Sequence, residues 1–253
     1  MGEHVAPASP TRKKRSNIFW NIVGVVGELL ITFAFIVGLF SVWQLYWTTY
    51  EVAGQVSQTI ASYEEEHQPS KRTLGEVRTD DPPAFDREVG DGEVYGLVHV
   101  PTWDWMKIPL AEGTTSYVLD QGWAGHYDMT TQPGGVGNFS IAGHRRTYGN
   151  NFRWIDRLTQ GDKVVVEVDD HYLVYSMVSS EIIDATDPTQ MRVVAPVIDD
   201  VSWSETPTER WMTMTTCHPE YGNWQRYIVH LKFESWTPKD TGVPAELVDE
   251  PTN

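Results

Sequence analysis

A mainly β domain, built as a closed barrel or a sandwich with short helices and preceded by one membrane-crossing helix, is the architecture this sequence predicts. Three observations predict it. Residues 18–47 form one long apolar run. From Glu93 onward, short β-type runs are separated by Gly, Pro, Asn and Asp. The spacing of those runs favours a barrel or sandwich over strands alternating with long helices. With 253 residues, 40% hydrophobic side chains and eleven Trp, the chain can hold one anchor and one domain with a real core.

The first element is a basic N-terminus, residues 1–17, carrying Arg12, Lys13, Lys14 and Arg15. The apolar run follows at once and exceeds the roughly 20 residues that a bilayer crossing needs. Trp20 stands near one end and Trp43, Tyr46 and Trp47 near the other, as interfacial aromatics do. Basic residues on the N-terminal flank place residues 1–17 in the cytoplasm and the remainder outside, as a single-pass plasma-membrane protein. A cleaved signal peptide would have a shorter apolar stretch ending in small residues. Aromatics follow here instead, so residues 18–47 are read as an uncleaved signal anchor. Glu28 inside the run is expensive at depth and calls for protonation, an interfacial position or a partner.

Residues 48–92 are polar, with Glu64-Glu65-Glu66 and Asp80-Asp81-Pro82-Pro83. They read as helical at first and then as a flexible, acidic extracellular stalk. Strand-like runs come next: Val94–Val100, Asn138–Ala142, Lys163–Val168, Tyr172–Val178, Trp211–Thr216 and Arg226–Phe233. Phe152–Leu158 reads as one or two helical turns. The catalytic domain is set at 93–236, and the Pro- and acid-rich 237–253 as a disordered tail.

Charge narrows the function. The chain carries 19 basic and 35 acidic residues, net −16. Four of the basic residues precede the apolar run, so residues 48–253 hold 15 basic against 33 acidic ones. No basic face exists for a phosphate backbone, which excludes nucleic acid as a partner.

Cys217 is the only cysteine, so no internal disulfide is available. It ends a strand-like run, and Pro219 stops that run from continuing. Arg226 opens the next run beyond a short turn, so a hairpin would bring it alongside Cys217. His144 ends another run after Gly143, which permits close backbone approach. A thiol nucleophile, a proton donor and a cation facing an oxyanion are what acyl transfer requires. Arg145 and Arg146 read as surface salt-bridge formers, and His218 is too close in sequence to Cys217 to orient as its base. The Asp169-Asp170 and Asp199-Asp200 pairs read as turn carboxylates, and no cluster offers a tetrahedral metal site.

The residues also resemble a family. Thr213-Met214-Thr215-Thr216-Cys217 matches the TLxTC signature of sortases, departing from it at Met214. Asn138–Gly149 (NFSIAGHRRTYG) resembles the sortase His segment, and Asn223–His230 (NWQRYIVH) the Arg strand. Gly125-His126-Tyr127, Pro133–Phe139, Cys217-His218-Pro219 and Trp236-Thr237-Pro238 resemble class E, the housekeeping-type enzymes of actinobacteria. The resemblance covers roughly residues 93–235 and implies the eight-stranded sortase barrel.

It implies a cysteine transpeptidase without cofactor or metal, which cleaves a C-terminal LAxTG- or LPxTG-like sorting signal between Thr and Gly. Cys217 would form the thioester, His144 would protonate the leaving amine, and Arg226 would hold the oxyanion. The acceptor would be an amine of a peptidoglycan precursor or a pilin. Tyr127, with Thr215 and Thr216, is expected to bind the signal. A Cys–His peptidase of another type would keep its two residues closer than the 73 positions that separate His144 from Cys217. A silent scaffold would have no use for an exposed thiol.

Overall fold

The computed structural model describes residues 18–69 and 71–251; the basic segment expected in the cytoplasm, residues 1–17, lies outside the described residues. The first helix, α1, runs from Ile18 to Glu66, well past the apolar stretch. Its N-terminal part is long and apolar enough to cross a membrane, and its apolar side chains are exposed all around. A helix apolar on every face has no wet side and suits lipid. The chain divides into two units, residues 1–44 and 45–253.

Eight strands follow: β1 (Val94–Val100), β2 (Met106–Glu112), β3 (Ala124–His126), β4 (Gly137–Ala142), β5 (Lys163–Val168), β6 (His171–Asp184), β7 (Arg210–His218) and β8 (Gln225–Pro238). They close into a barrel in the order β1-β2-β3-β4-β7-β8-β6-β5. All neighbouring pairs are antiparallel except β2/β3 and β4/β7. The parallel β2/β3 pair needs a crossover, and the short helix α2 (Ser116–Leu119) supplies part of it. Val98, Ile108, Phe139, Ile141, Leu173 and Met212 fill the interior. Six strands coincide with the runs read from sequence, though β6 and β8 extend further. The strands β2 and β3 had no sequence signal, since β2 contains Pro109 and β3 spans three residues. Of Phe152–Leu158, only Ile155–Arg157 is helical, as a 3-10 turn.

Two expectations are corrected here. The segment 71–92 is seated on the barrel rather than a free stalk. Arg78 and Trp236 exchange backbone hydrogen bonds at 2.8 Å in both directions, and the Arg78 guanidinium lies 5.0 Å from the Trp236 ring centre. Gly75 N–H donates to Val243 O at 2.9 Å, while Phe85 packs on Tyr95.

The segment 237–251 is likewise ordered. Val243 and Leu247 form a second apolar cluster with Val165, Tyr172 and Val174, on the side chains that β5 and β6 turn away from the interior. Those strands are apolar on both faces, and a disordered tail would leave the outer face wet. Glu250 then drops into a buried cluster, where His99 is held between Glu250 (Nδ1, 2.9 Å) and Glu167 (Nε2, 2.8 Å). Lys239 pairs with Glu167, Arg72 and Lys107 with Glu250, and Lys107 with Glu64 of α1. One charge network thus ties α1, β1, β2, β5 and the chain end together.

Candidate active site

The strand register assembles the site. Cys217, the last-but-one residue of β7, lies directly opposite Arg226 of β8. On the other side, β7 runs parallel to β4, with Ala142 opposite Thr215. The pairing continues past β4, because Gly143 N–H donates to Thr215 O at 3.1 Å and Thr216 Oγ1 donates to Gly143 O at 2.6 Å. Residue 144 is therefore delivered beside the strand end that carries Cys217. Gly143 is required there by contact: a Cβ would sit 2.7 Å from the Phe152 ring. All six residues of β4 are buried, including the polar Asn138 and Ser140 that alternate with Phe139 and Ile141.

Cys217 is partly exposed and carries no disulfide. Arg226 anchors one arm of its fork on backbone carbonyls, with Nη1 donating to Asn223 O at 2.7 Å and Gln225 O at 3.0 Å. The imidazole of His144 lies against the Tyr148 ring, tilted by 32° with centres 5.4 Å apart, and its Nε2 lies 2.8 Å from Asp120 Oδ1. Nothing in the sequence pointed to Asp120. It caps the four-residue helix α2, for which the sequence carries no periodic signal.

Tyr127 follows β3, and its hydroxyl meets Thr215 Oγ1 at 2.9 Å. Burial raises its pKa against the opposing pulls of Thr215 and Arg226, so the phenol stays neutral at ordinary pH. Tyr127, Thr215 and Arg226 line one cleft together with Ile183, Val194 and Ile228. Thr216 is placed differently. It is buried, and its hydroxyl is committed to Gly143 O rather than to the cleft.

The neighbouring polar residues serve the scaffold. Arg145 is 4% exposed, not on the surface as the sequence suggested, and bridges Asp156 and His218 Nδ1, each at 2.8 Å. Burial and the Arg145 charge both lower the His218 pKa, so that ring is a neutral acceptor. Arg146 pairs with Glu220. Asn138 holds the turn at 193–195 by donating to Val193 O and Ala195 O, both at 3.1 Å. Asp200 accepts from the N–H groups of Ser202, Ser204 and Glu205, the work of a turn carboxylate. Among the described residues, no three His, Cys, Asp or Glu side chains converge as a metal site would require.

Known proteins share this sequence and fold. A family model described as Sortase domain matches residues 98–234. Sortase SrtE1 of Streptomyces coelicolor is 36% identical over 229 residues, which are 88% of this chain. The match spans 60% of that relative's length. Among solved structures, the SrtA sortase from Actinomyces oris superposes with a TM-score of 0.64 at 44% identity, covering 70% of this chain and 100% of that one. Sortase E1 from Streptomyces coelicolor, crystallised with a tripeptide in the active site, gives a TM-score of 0.55 at 38% identity, over 63% of this chain and 99% of its own. The matched span holds the strands that converge on Cys217, and on that ground the chain belongs to the sortase family, with class E sortases among its relatives.

Proposed function

We propose that this chain is a membrane-anchored cysteine transpeptidase that cleaves a C-terminal sorting signal of LAxTG or LPxTG type between Thr and Gly. It then joins the released protein to an amine of the cell wall or of a pilin. The observation that carries this reading is the register that sets Cys217 opposite Arg226 while the Gly143–Thr215 pairing brings in His144. The anchor is the apolar part of α1, residues 18–47, with the N-terminus inside and the barrel outside.

Cys217 Sγ attacks the Thr carbonyl, and the carbonyl oxygen takes up negative charge. Arg226, fixed at Nη1 by two carbonyls, turns its remaining donors to that oxygen. The C–N bond breaks as His144 gives a proton to the departing Gly amine. An incoming amine then attacks the thioester, loses its proton to His144 and expels Cys217 as thiolate. Tyr127 and Thr215, bonded to each other in the cleft, read the residue after Leu; Thr216 supports the segment after β4 that carries His144.

The test is the full chain in detergent micelles, incubated with each peptide and an amine acceptor and examined by intact-protein mass spectrometry. A thioester adduct on the wild type and none on Cys217→Ala is expected, and the favoured peptide identifies the signal. A folded protein with a free thiol and no adduct from either peptide would overturn the reading.

A further inference from the structure

Sortase chemistry on this reading demands one orientation of His144, and the structure holds that ring at Nε2. We propose that Asp120 is the positioning residue of the site. Its carboxylate accepts Nε2–H of His144 at 2.8 Å, which leaves Nδ1 to exchange protons with the reacting groups. The inference rests on the transpeptidase reading for its kinetic consequence only.

The chemistry is that of tautomers. A neutral imidazole has a single N–H, and a carboxylate is an acceptor alone. With Asp120 at Nε2, the neutral ring carries its proton on Nε2 and offers a lone pair at Nδ1. In the acylation step Nδ1–H of the imidazolium passes its proton to the Gly amine. In the transfer step the incoming amine returns one proton to Nδ1. Asp120 stays an anion throughout, and atoms and charges balance without a further reactant. A base oriented by a third group is the general logic of nucleophilic catalysis by Ser or Cys.

An ion pair between two partly exposed side chains would by itself mean little. This one is built on both sides. Asp120 sits at the C-cap of α2, where its N–H donates to Ser116 O at 3.0 Å. The turn after it is wedged against the second half of α1: Gln55 Nε2 donates to Gln121 Oε1 at 2.7 Å. At Gly122, with φ +77°, a Cβ would lie 2.8 Å from Val56 Cγ2 and 3.1 Å from Tyr148 O. So the turn bearing Asp120 is clamped between α1 and the loop whose Tyr148 packs against the His144 ring.

Two readouts test the proposal on the full chain in detergent micelles. Steady-state transpeptidation by Asp120→Ala should show kcat lowered on the order of 10- to 100-fold, less than the roughly 100- to 10,000-fold that the acid/base itself supplies, because the imidazole remains and only its orientation is lost. KM and the unfolding temperature should stay at wild-type values. If Asp120→Ala does not fold, the isosteric Asp120→Asn carries the same measurement. Independently, nitrogen NMR of histidine-labelled protein, assigned with His144→Gln, should show only the Nε2–H form of neutral His144 in the wild type. Asp120→Asn, whose amide can also donate, should admit the Nδ1–H form. Unchanged kcat in a folded Asp120 variant, or identical tautomers in wild type and Asp120→Asn, overturns the proposal. If the wild type acylates neither peptide, the transpeptidase reading falls while the NMR result still decides the role of Asp120.

Discussion

Replacing His99 by Gln tests the buried charge network that fastens the chain end to the barrel. Burial alone would lower the pKa of His99, but the Glu167 and Glu250 carboxylates on its two nitrogens outweigh that and raise it from 6.5 to about 8. Each pKa unit is worth about 1.4 kcal/mol, so the raised value corresponds to roughly 2 kcal/mol of stability. The sign follows from linkage. A group whose folded pKa lies above its unfolded one contributes fully below about 6.5, and the contribution is lost as pH rises through about 8. A neutral imidazole keeps one N–H and can satisfy only one of the two carboxylates. Glu167 has the opposite sense. Burial opposes its ionisation, yet His99 and Lys239 hold its pKa down to about 2, so its contribution is present above 4.5 and fades only toward about 2. The assay is thermal unfolding of wild type and His99→Gln, followed by Trp fluorescence, at pH values on either side of about 8. For a domain of this size, roughly 2 kcal/mol amounts to about 4–8 °C. Wild type should lose that much more than the variant between pH of about 6 and 9. Equal losses in the two proteins would refute the reasoning.

Two further predictions concern the site. Arg226→Lys should lower kcat/KM on the order of 100-fold in the peptide transfer assay, because a single ammonium cannot hold two carbonyls through one arm and serve an oxyanion with the rest. Thr216→Val keeps the volume but removes the 2.6 Å bond to Gly143 O; it should cost about 1–2 kcal/mol in denaturant unfolding and slow acylation, because the His144 segment loses its tie to β7.

Much of the site was legible because its residues are short-range neighbours of strong signals. Cys217 and Arg226 flank one hairpin, and a hairpin register follows from turn length, so their pairing could be read without coordinates. His144 required more. Its approach to Cys217 depends on the parallel β4/β7 pair, whose partners are some 70 residues apart, and spacing alone did not dictate it. There the family resemblance supplied the link. Thr216 shows the limit in one residue: its place beside the thiol was clear, but the face that its hydroxyl served was not.

By itself the sequence determined the long apolar helix, the β character of the domain, the acidic body and the position of the single thiol. These are properties of composition and local period, and they survive in any arrangement of the chain. Tertiary structure alone decided three other matters. It made the segments 71–92 and 237–251 part of the folded domain: Val243 and Leu247 cover the apolar outer face of β5 and β6, and Arg78 and Phe85 dock 71–92 on Trp236 and Tyr95, contacts that polar, Pro-rich stretches do not advertise. It fixed β2 and β3 as strands, where pairing partners override weak intrinsic preference. And it brought Asp120 to His144 across the β2–β3 crossover, a contact between loops whose closeness only the closed barrel enforces.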